Sequence, residues 1–332
     1  MDFTTEYLGL TLKSPLVPSA SPLSRSISTA RRLEDAGAGA LIMYSLFEEA
    51  IAAEDEHLSH YLHHQETGFG EADSFLPTHY ELPGVVEHYL ENLQQLKEAL
   101  DIPVIASLNG TTPSGWLTHA KAMEEAGADA LELNVYFIET DIGMPGGQVD
   151  RRYLELLEQL VEQIKIPINM KLSPYFSSLG HMVKELEVVG ARGVSLFNRF
   201  YQPDIDIDNL RLNHRLNLSS SNDGLLAMHW IGILYGRTDL SLGATSGVHT
   251  PEDALRMLLA GADVVHLCSV LLEQGASALK RIALGIEEWM EEKGFESIEE
   301  FRGIVSQAHV ADPAEFERVN YIKSLESFVP KG

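Results

Sequence analysis

Residues 240–269 read LSLGATSGVHTPEDALRMLLAGADVVHLCS, and they concentrate much of this chain's chemistry. A short apolar run (240–244) ends in the small-residue turn Thr245-Ser246-Gly247 and is followed by an amphipathic stretch. A second apolar run (264–267) ends in Cys268 and Ser269. Small side chains leave main-chain N–H groups open, and open N–H groups beside a helix start form a cradle for a phosphate dianion. A single such turn after a strand is equally an ordinary tight turn. Two in succession, late in a long strand–helix array, point to phosphate binding around Ser246, Gly247, Cys268 and Ser269. Cys268 is read there as a small residue whose N–H matters rather than as a reactive thiol.

The charge balance sharpens that reading. The 332 residues carry 49 Asp and Glu against 24 Lys and Arg, a formal net charge of −25. Such a chain repels nucleic acid. An anionic small molecule needs local cations or oriented N–H dipoles to bind it. Lys171, at the end of an apolar run, is therefore conspicuous. Cys268 is the only cysteine, so a disulfide framework or cysteine-held cluster within the chain is excluded. No apolar run is long enough to span a bilayer, and the first residues lack the charged and apolar regions of a signal peptide. The expectation is a cytoplasmic protein with no membrane contact. His57, His60 and His64 would share a helix face with spacing compatible with a metal. Nothing supports them in sequence, and a solvated helix face is expected there, with no metal site.

The elements that must position these residues recur along the chain. Short apolar runs at 16–19, 40–44, 104–108, 130–135, 168–172, 193–197, 241–244 and 264–267 show little alternation, as strands buried on both faces do. Helical patterns lie between most of them, at 28–36, 86–99, 116–125, 152–163, 179–189 and 251–260. Several close on Ala-Gly-Ala, the glycine supplying a left-handed cap. Eight such units predict an α/β fold, a (β/α)₈ TIM barrel, in one domain over 1–332. Residues 3–12 predict a small hairpin around Gly9. Two insertions, 48–83 and 198–227, follow the second and sixth strands, at the C-terminal face where barrel sites lie. A long helix is expected from 271 to 293, then a further short helical piece.

Tyr7 to Leu16 (YLGLTLKSPL), Ala130 to Asn134 (ALELN), Lys171 to Phe176 (KLSPYF), Ser246 to Ala254 (SGVHTPEDA), Leu259 to Leu267 (LAGADVVHL) and Ile298 to Gly303 (IEEFRG) together resemble the class 1 dihydroorotate dehydrogenase family, the flavin-dependent barrels of pyrimidine synthesis. The resemblance covers nearly the whole chain. It implies an oxidoreductase holding FMN at the barrel mouth, with the phosphate on Ser246-Gly247 and Cys268-Ser269. It further implies flavin contacts from Ala20, Ser21, Tyr44, Ser107, Asn134 and Lys171, a substrate-side Asn198, a small-molecule substrate and a homodimer. A lysine cation at the pyrimidine end of the ring stabilises the anionic reduced flavin.

The chain departs from the family on the substrate side. After ELN the family reads L-S-C-P-N or its serine variant, the cysteine or serine being the base that removes the C5 proton of dihydroorotate. Here Val135-Tyr136-Phe137-Ile138-Glu139 follows, and Phe137 cannot accept a proton. Glu139 stands where an orotate-binding asparagine is expected. Met43-Tyr44 replaces Thr-Lys, and Thr78 to Gly84 replaces N-x-x-G-L-P-N. Tyr136 and Glu139 are the weak candidates for a new acid or base; His79 and Glu81 are titratable groups nearby. Three functions stay open at this point: an FMN-dependent oxidoreductase acting on a CH–CH bond, a repurposed flavin- or phosphate-binding barrel without catalysis, or a barrel that uses the phosphate site for a phosphorylated metabolite and holds no flavin.

Overall fold

The structure is a computed structural model describing residues 1–51, 53, 84–110, 113–135, 138–199, 203–213, 216–327 and 329. Eight parallel strands, surrounded by helices, form the barrel. In chain order they are Leu16–Pro18, Leu41–Ile42, Val104–Asn109, Ala130–Asn134, Ile168–Leu172, Gly193–Leu196, Ser241–Ala244 and Val264–Leu267. Each pairs with its neighbour from the second through to the eighth, and the eighth pairs with the first. The seam between first and second strands is bridged by the Gly39 N–H, which donates to the Leu16 carbonyl at 2.9 Å. A short extra strand, Leu46–Phe47, lies against the end of the third. The fold is thus the (β/α)₈ barrel that the punctuated apolar runs predict.

Strand alternation divides each strand between helix-facing and interior residues. The helix-facing set builds the large core with Leu93, Leu157, Leu186, Leu258 and Ile282. The interior set is different. At the bottom it is apolar: Ala40, Ile105, Ala130 and Val264 pack with Val17 and Ile42. The hairpin Thr5–Tyr7 with Leu10–Leu12 closes this end, inserting Tyr7, Leu8 and Leu12. One step higher the interior turns polar, with Glu132, Asn169, Ser195 and His266 all buried. Barrel interiors are ordinarily filled by branched apolar side chains, so this layer calls for a functional account.

Two elements differ from expectation. Leu225–Leu234 is a helix between the sixth and seventh strands. Its sequence, LLAMHWIGIL, is apolar on nearly all sides, so no periodic stripe announces it. The expected 271–293 helix is two helices, Ser269–Gln274 and Ala276–Lys293, broken at Gly275, whose φ of +69° suits glycine. The 198–227 insertion carries a small antiparallel hairpin, Asp204–Asp206 with Arg211–Asn213. Most of the 48–83 insertion, including His57, His60, His64, Thr78, His79 and Glu81, lies outside the described residues. Among the described residues, no helix is long and apolar enough to cross a membrane.

Candidate functional site

At the C-terminal ends of the strands lies a cavity of about 300 Å³. Its walls come from strand ends far apart in sequence: Ala20 and Ser21 after the first strand, Tyr44 after the second, Asn134 from the fourth, and Lys171 from the fifth. Asn198 follows the sixth, Ser246 and Gly247 the seventh, and Cys268 and Ser269 the eighth. The residues named from sequence thus converge on one concavity, with two exceptions. Ser107 is fully buried beneath the wall, its Oγ 2.8 Å from that of Ser45, and Ser45 is the residue that lines the cavity. Glu139 is absent from the lining; its Oε2 accepts from Arg152 at 2.8 Å and its Oε1 from the Asp141 N–H at 2.9 Å. That ion pair occupies the carboxylate away from the cavity and argues against Glu139 as a base. Tyr136 and Phe137 lie outside the described residues.

The turn after the seventh strand has an unusual backbone. Ser246 and Gly247 both take left-handed backbone, at φ +75° and +71°. Neither N–H donates to another group among the described residues. Ser246 tolerates this costly conformation without being glycine. Gly247 does not have that freedom: a Cβ there would sit 2.1 Å from the Gly224 nitrogen. The returning 198–227 insertion therefore presses on the turn and fixes it. The same insertion brings in Ser219, whose N–H and Oγ both donate to Ser269 Oγ, at 3.0 and 2.9 Å, and whose Oγ lies 3.0 Å from His249 Nε2.

Among the described residues, three cations line the cavity of this strongly acidic protein: Arg25, Lys171 and Arg199. Arg25 lies over the Tyr44 ring, 4.6 Å from its centroid. Tyr44 in turn meets Tyr89 edge-on at 5.0 Å, and burial raises its hydroxyl pKa above the ordinary value. Lys171 is almost wholly buried, with Nζ 3.3 Å from Oε1 of the fully buried Glu132. Asn198 Nδ2 donates to Asn134 Oδ1, joining the ends of the fourth and sixth strands. Burial also raises the Cys268 thiol. No carboxylate lines the cavity among the described residues, and no cluster of three potential metal ligands occurs there.

These features were compared with known proteins. The dihydroorotate dehydrogenase family profile matches residues 82–290, more than half of the chain. The chain belongs to the dihydroorotate dehydrogenase family. It is 26% identical, over 323 residues covering 92% of the chain and all of the relative, to the dihydroorotate dehydrogenase B (NAD(+)) catalytic subunit of Pyrococcus furiosus. It is 31% identical to the putative dihydroorotate dehydrogenase A (fumarate) of Aeropyrum pernix, covering 66% of this chain and 72% of that one. It is 29% identical to the dihydroorotate dehydrogenase A (fumarate) of Lactobacillus delbrueckii subsp. bulgaricus, covering 67% and 74%.

Several lining residues of this family member escape a reading of strand ends alone. Arg25 lies seven residues past the end of the first strand and Arg199 three past the end of the sixth, and Ser219 returns from a long insertion. His266 could have been found by parity, because it lies two residues before Cys268 and so shares its inward face. Burial, reinforced by the Lys171 charge, lowers the His266 pKa from 6.5 to about 3. The unfolded chain therefore takes up a proton that the folded chain refuses, and this costs stability as pH falls from about 6.5 towards 3. H266Q is expected to make the midpoint of thermal unfolding less sensitive to acidification between about pH 7 and pH 4. Parallel Tm-against-pH curves for the two proteins would contradict this.

Proposed function

We propose that this protein is an FMN-dependent oxidoreductase of the dihydroorotate dehydrogenase type, acting on a CH–CH bond of a small substrate other than dihydroorotate. The observation that carries the reading is the cavity itself. One end offers two unpartnered N–H groups in a left-handed turn, flanked by the Ser219 and Ser269 hydroxyls. The other offers Lys171 held by Glu132, with Asn134 and Asn198 between. Phosphate at the first end and an electron-rich ring beside the lysine match that polarity, so the residues present fit FMN.

When bound, FMN would supply the hydride acceptor. The chain's own residues do the rest. Ser246 and Gly247 would hold the phosphate through N–H groups already oriented, at no reorganisation cost. Lys171 would favour negative charge at the ring edge. The substrate side carries Arg25 on Tyr44, with Asn198 and Arg199, a set of donors and cations suited to an anionic or carbonyl-rich substrate. Phe137 stands at the family's base position in sequence, so proton removal from dihydroorotate lacks its usual acceptor. Photoreduction of the FMN-loaded protein, followed by anaerobic exposure to a panel of ene-type acceptors, tests the reading. Reoxidation of the flavin by at least one such compound is expected. Reoxidation by none of them, with FMN bound, would favour a flavin-binding barrel without catalysis.

The proposed assembly is a homodimer, and the hairpin of the second insertion supports it. A two-stranded hairpin is marginal alone, yet here it exposes Ile205, Ile207, Leu210 and Leu212 to solvent. Clustered exposed apolar side chains of this kind mark an interface. L210E with L212K is expected to shift the protein from dimer to monomer in sedimentation velocity. Unchanged dimer in that variant would place the interface elsewhere.

A further inference from the structure

The cavity is tied to an imidazole that lies outside it. Ser269 Oγ accepts two hydrogens from Ser219, one from its N–H at 3.0 Å and one from its Oγ at 2.9 Å. A hydroxyl has two lone pairs and one hydrogen, so Ser269 has only its hydrogen left to offer. No group among the described residues receives it. Ser269 is partly exposed on the cavity wall, where Ser246 and Gly247 also lie. Ser219 Oγ has given away its hydrogen, so it accepts in its contact with His249 Nε2 at 3.0 Å. An imidazolium carries hydrogen on both ring nitrogens, so the charged ring makes this contact with no choice of tautomer. The donors then run one way, from His249 to Ser219 to Ser269 to the cavity.

This chain of contacts is held at fixed points. Asp253 Oδ2 accepts from Ser221 Oγ at 2.7 Å and from the N–H groups of His249 and Thr250 at 3.0 and 3.1 Å. One carboxylate therefore fastens the returning insertion, close to Ser219, onto the start of the helix Pro251–Ala260. His249 is half-buried and does not line the cavity, so a ligand meets it only through the two serines. Its charged neighbours come from both elements. Asp223 of the insertion interacts with its charge and with that of Arg199. On the helix, Asp253 binds its N–H, with Glu252 and Arg256 beside that carboxylate. A cation at a helix start is opposed by the helix dipole. The carboxylates offset that opposition, and an anion in the cavity offsets it further.

We propose that His249 is a positioning residue for an anionic phosphoryl group bound at the Ser246–Gly247 turn: through Ser219 it turns the Ser269 hydroxyl hydrogen onto the anion, and it does so more strongly when its ring is protonated. This rests on the reading that the turn holds the phosphate of FMN. The same device serves any other phosphorylated ligand of the cavity.

Fluorescence titration of the full chain with FMN, at about pH 8.5 and about pH 6, tests it, since a histidine side chain changes charge in that range. The phosphate's own titration is common to all variants and cancels in ratios of their dissociation constants. H249Q keeps a donor but cannot be charged. It should bind within about twofold of the unmodified protein at the higher pH and about three- to tenfold more weakly at the lower. S219A should weaken FMN binding at both, and the double variant S219A/H249Q should bind no more weakly than S219A, because His249 acts only through that hydroxyl. Riboflavin, which lacks the phosphate, should bind all four proteins alike. Melting curves confirm that each variant is folded, and the H249Q comparison stands without S219A. An H249Q ratio that is the same at both pH values, additive losses in the double variant, or an equal loss for riboflavin would each overturn the role of His249 while leaving the FMN reading standing. An unmodified protein that binds FMN no better than riboflavin would overturn the phosphate site and this inference together.

Discussion

Dihydroorotate oxidation by the FMN-loaded protein should run at least about a hundredfold slower than in a family member with the cysteine or serine base. A positioned base contributes about 10²–10⁴-fold, and on the proposed reading Phe137, which cannot accept a proton, stands in its place. The described cavity offers no substitute. It contains no carboxylate, Tyr44 and Cys268 have pKa values raised by burial, and His266 is buried below and weakly basic. Glu139 is committed to Arg152. F137C alone should not restore the reaction, because on the same reading Glu139 and the Thr78 to Gly84 segment also replace substrate contacts of the family. The check is steady-state turnover of dihydroorotate with excess artificial acceptor. Ordinary rates would contradict the account and direct attention to His79 or another residue of the second-strand insertion.

The second large effect concerns Lys171. Removing one member of a buried ion pair leaves its partner's charge uncompensated, which typically costs about 3–5 kcal/mol. K171M should therefore lower Tm by about 4–7 °C, since Glu132 is fully buried and Lys171 is its only cation partner among the described residues. The double variant E132Q/K171M should recover most of that loss. It should not recover the flavin's potential, because the cation stays absent. A fall of roughly 30–90 mV in FMN-loaded K171M and in the double variant alike corresponds to about 1.4–4 kcal/mol for a two-electron couple. Differential scanning calorimetry and equilibrium redox titration check the two halves separately. A double variant as unstable as K171M would show that Glu132 is not the source of the penalty. An unchanged potential would remove Lys171 from the ring's surroundings.

The sequence discloses the strand ends well, because a parallel barrel puts them at one face regardless of what lies between. Ser246, Gly247, Asn134 and Lys171 meet in one cavity for that reason. What it conceals depends on distance through space or on parity. The placement of Arg25 over Tyr44 joins two consecutive strand–helix units by loop geometry that no spacing encodes. The approach of Gly224 to Gly247 depends on how a long insertion returns. Asn169, Ser195 and His266 look like ordinary strand residues until alternation is counted back from the strand ends. Leu225–Leu234 is hidden because a helix apolar on nearly all sides has no periodic signature. Ser107 satisfies the parity rule but is covered by Ser45 from a segment that extends past the second strand.

Uptake of FMN tests the central claim most directly. Purified protein, stripped of any bound flavin and titrated with FMN, should bind one molecule per chain, quench its fluorescence and show the visible flavin bands. Riboflavin, which lacks the phosphate, should bind far more weakly if the turn at Ser246 and Gly247 holds the phosphate. A protein that remains colourless and leaves FMN fluorescence unchanged at saturating concentration would contradict the account.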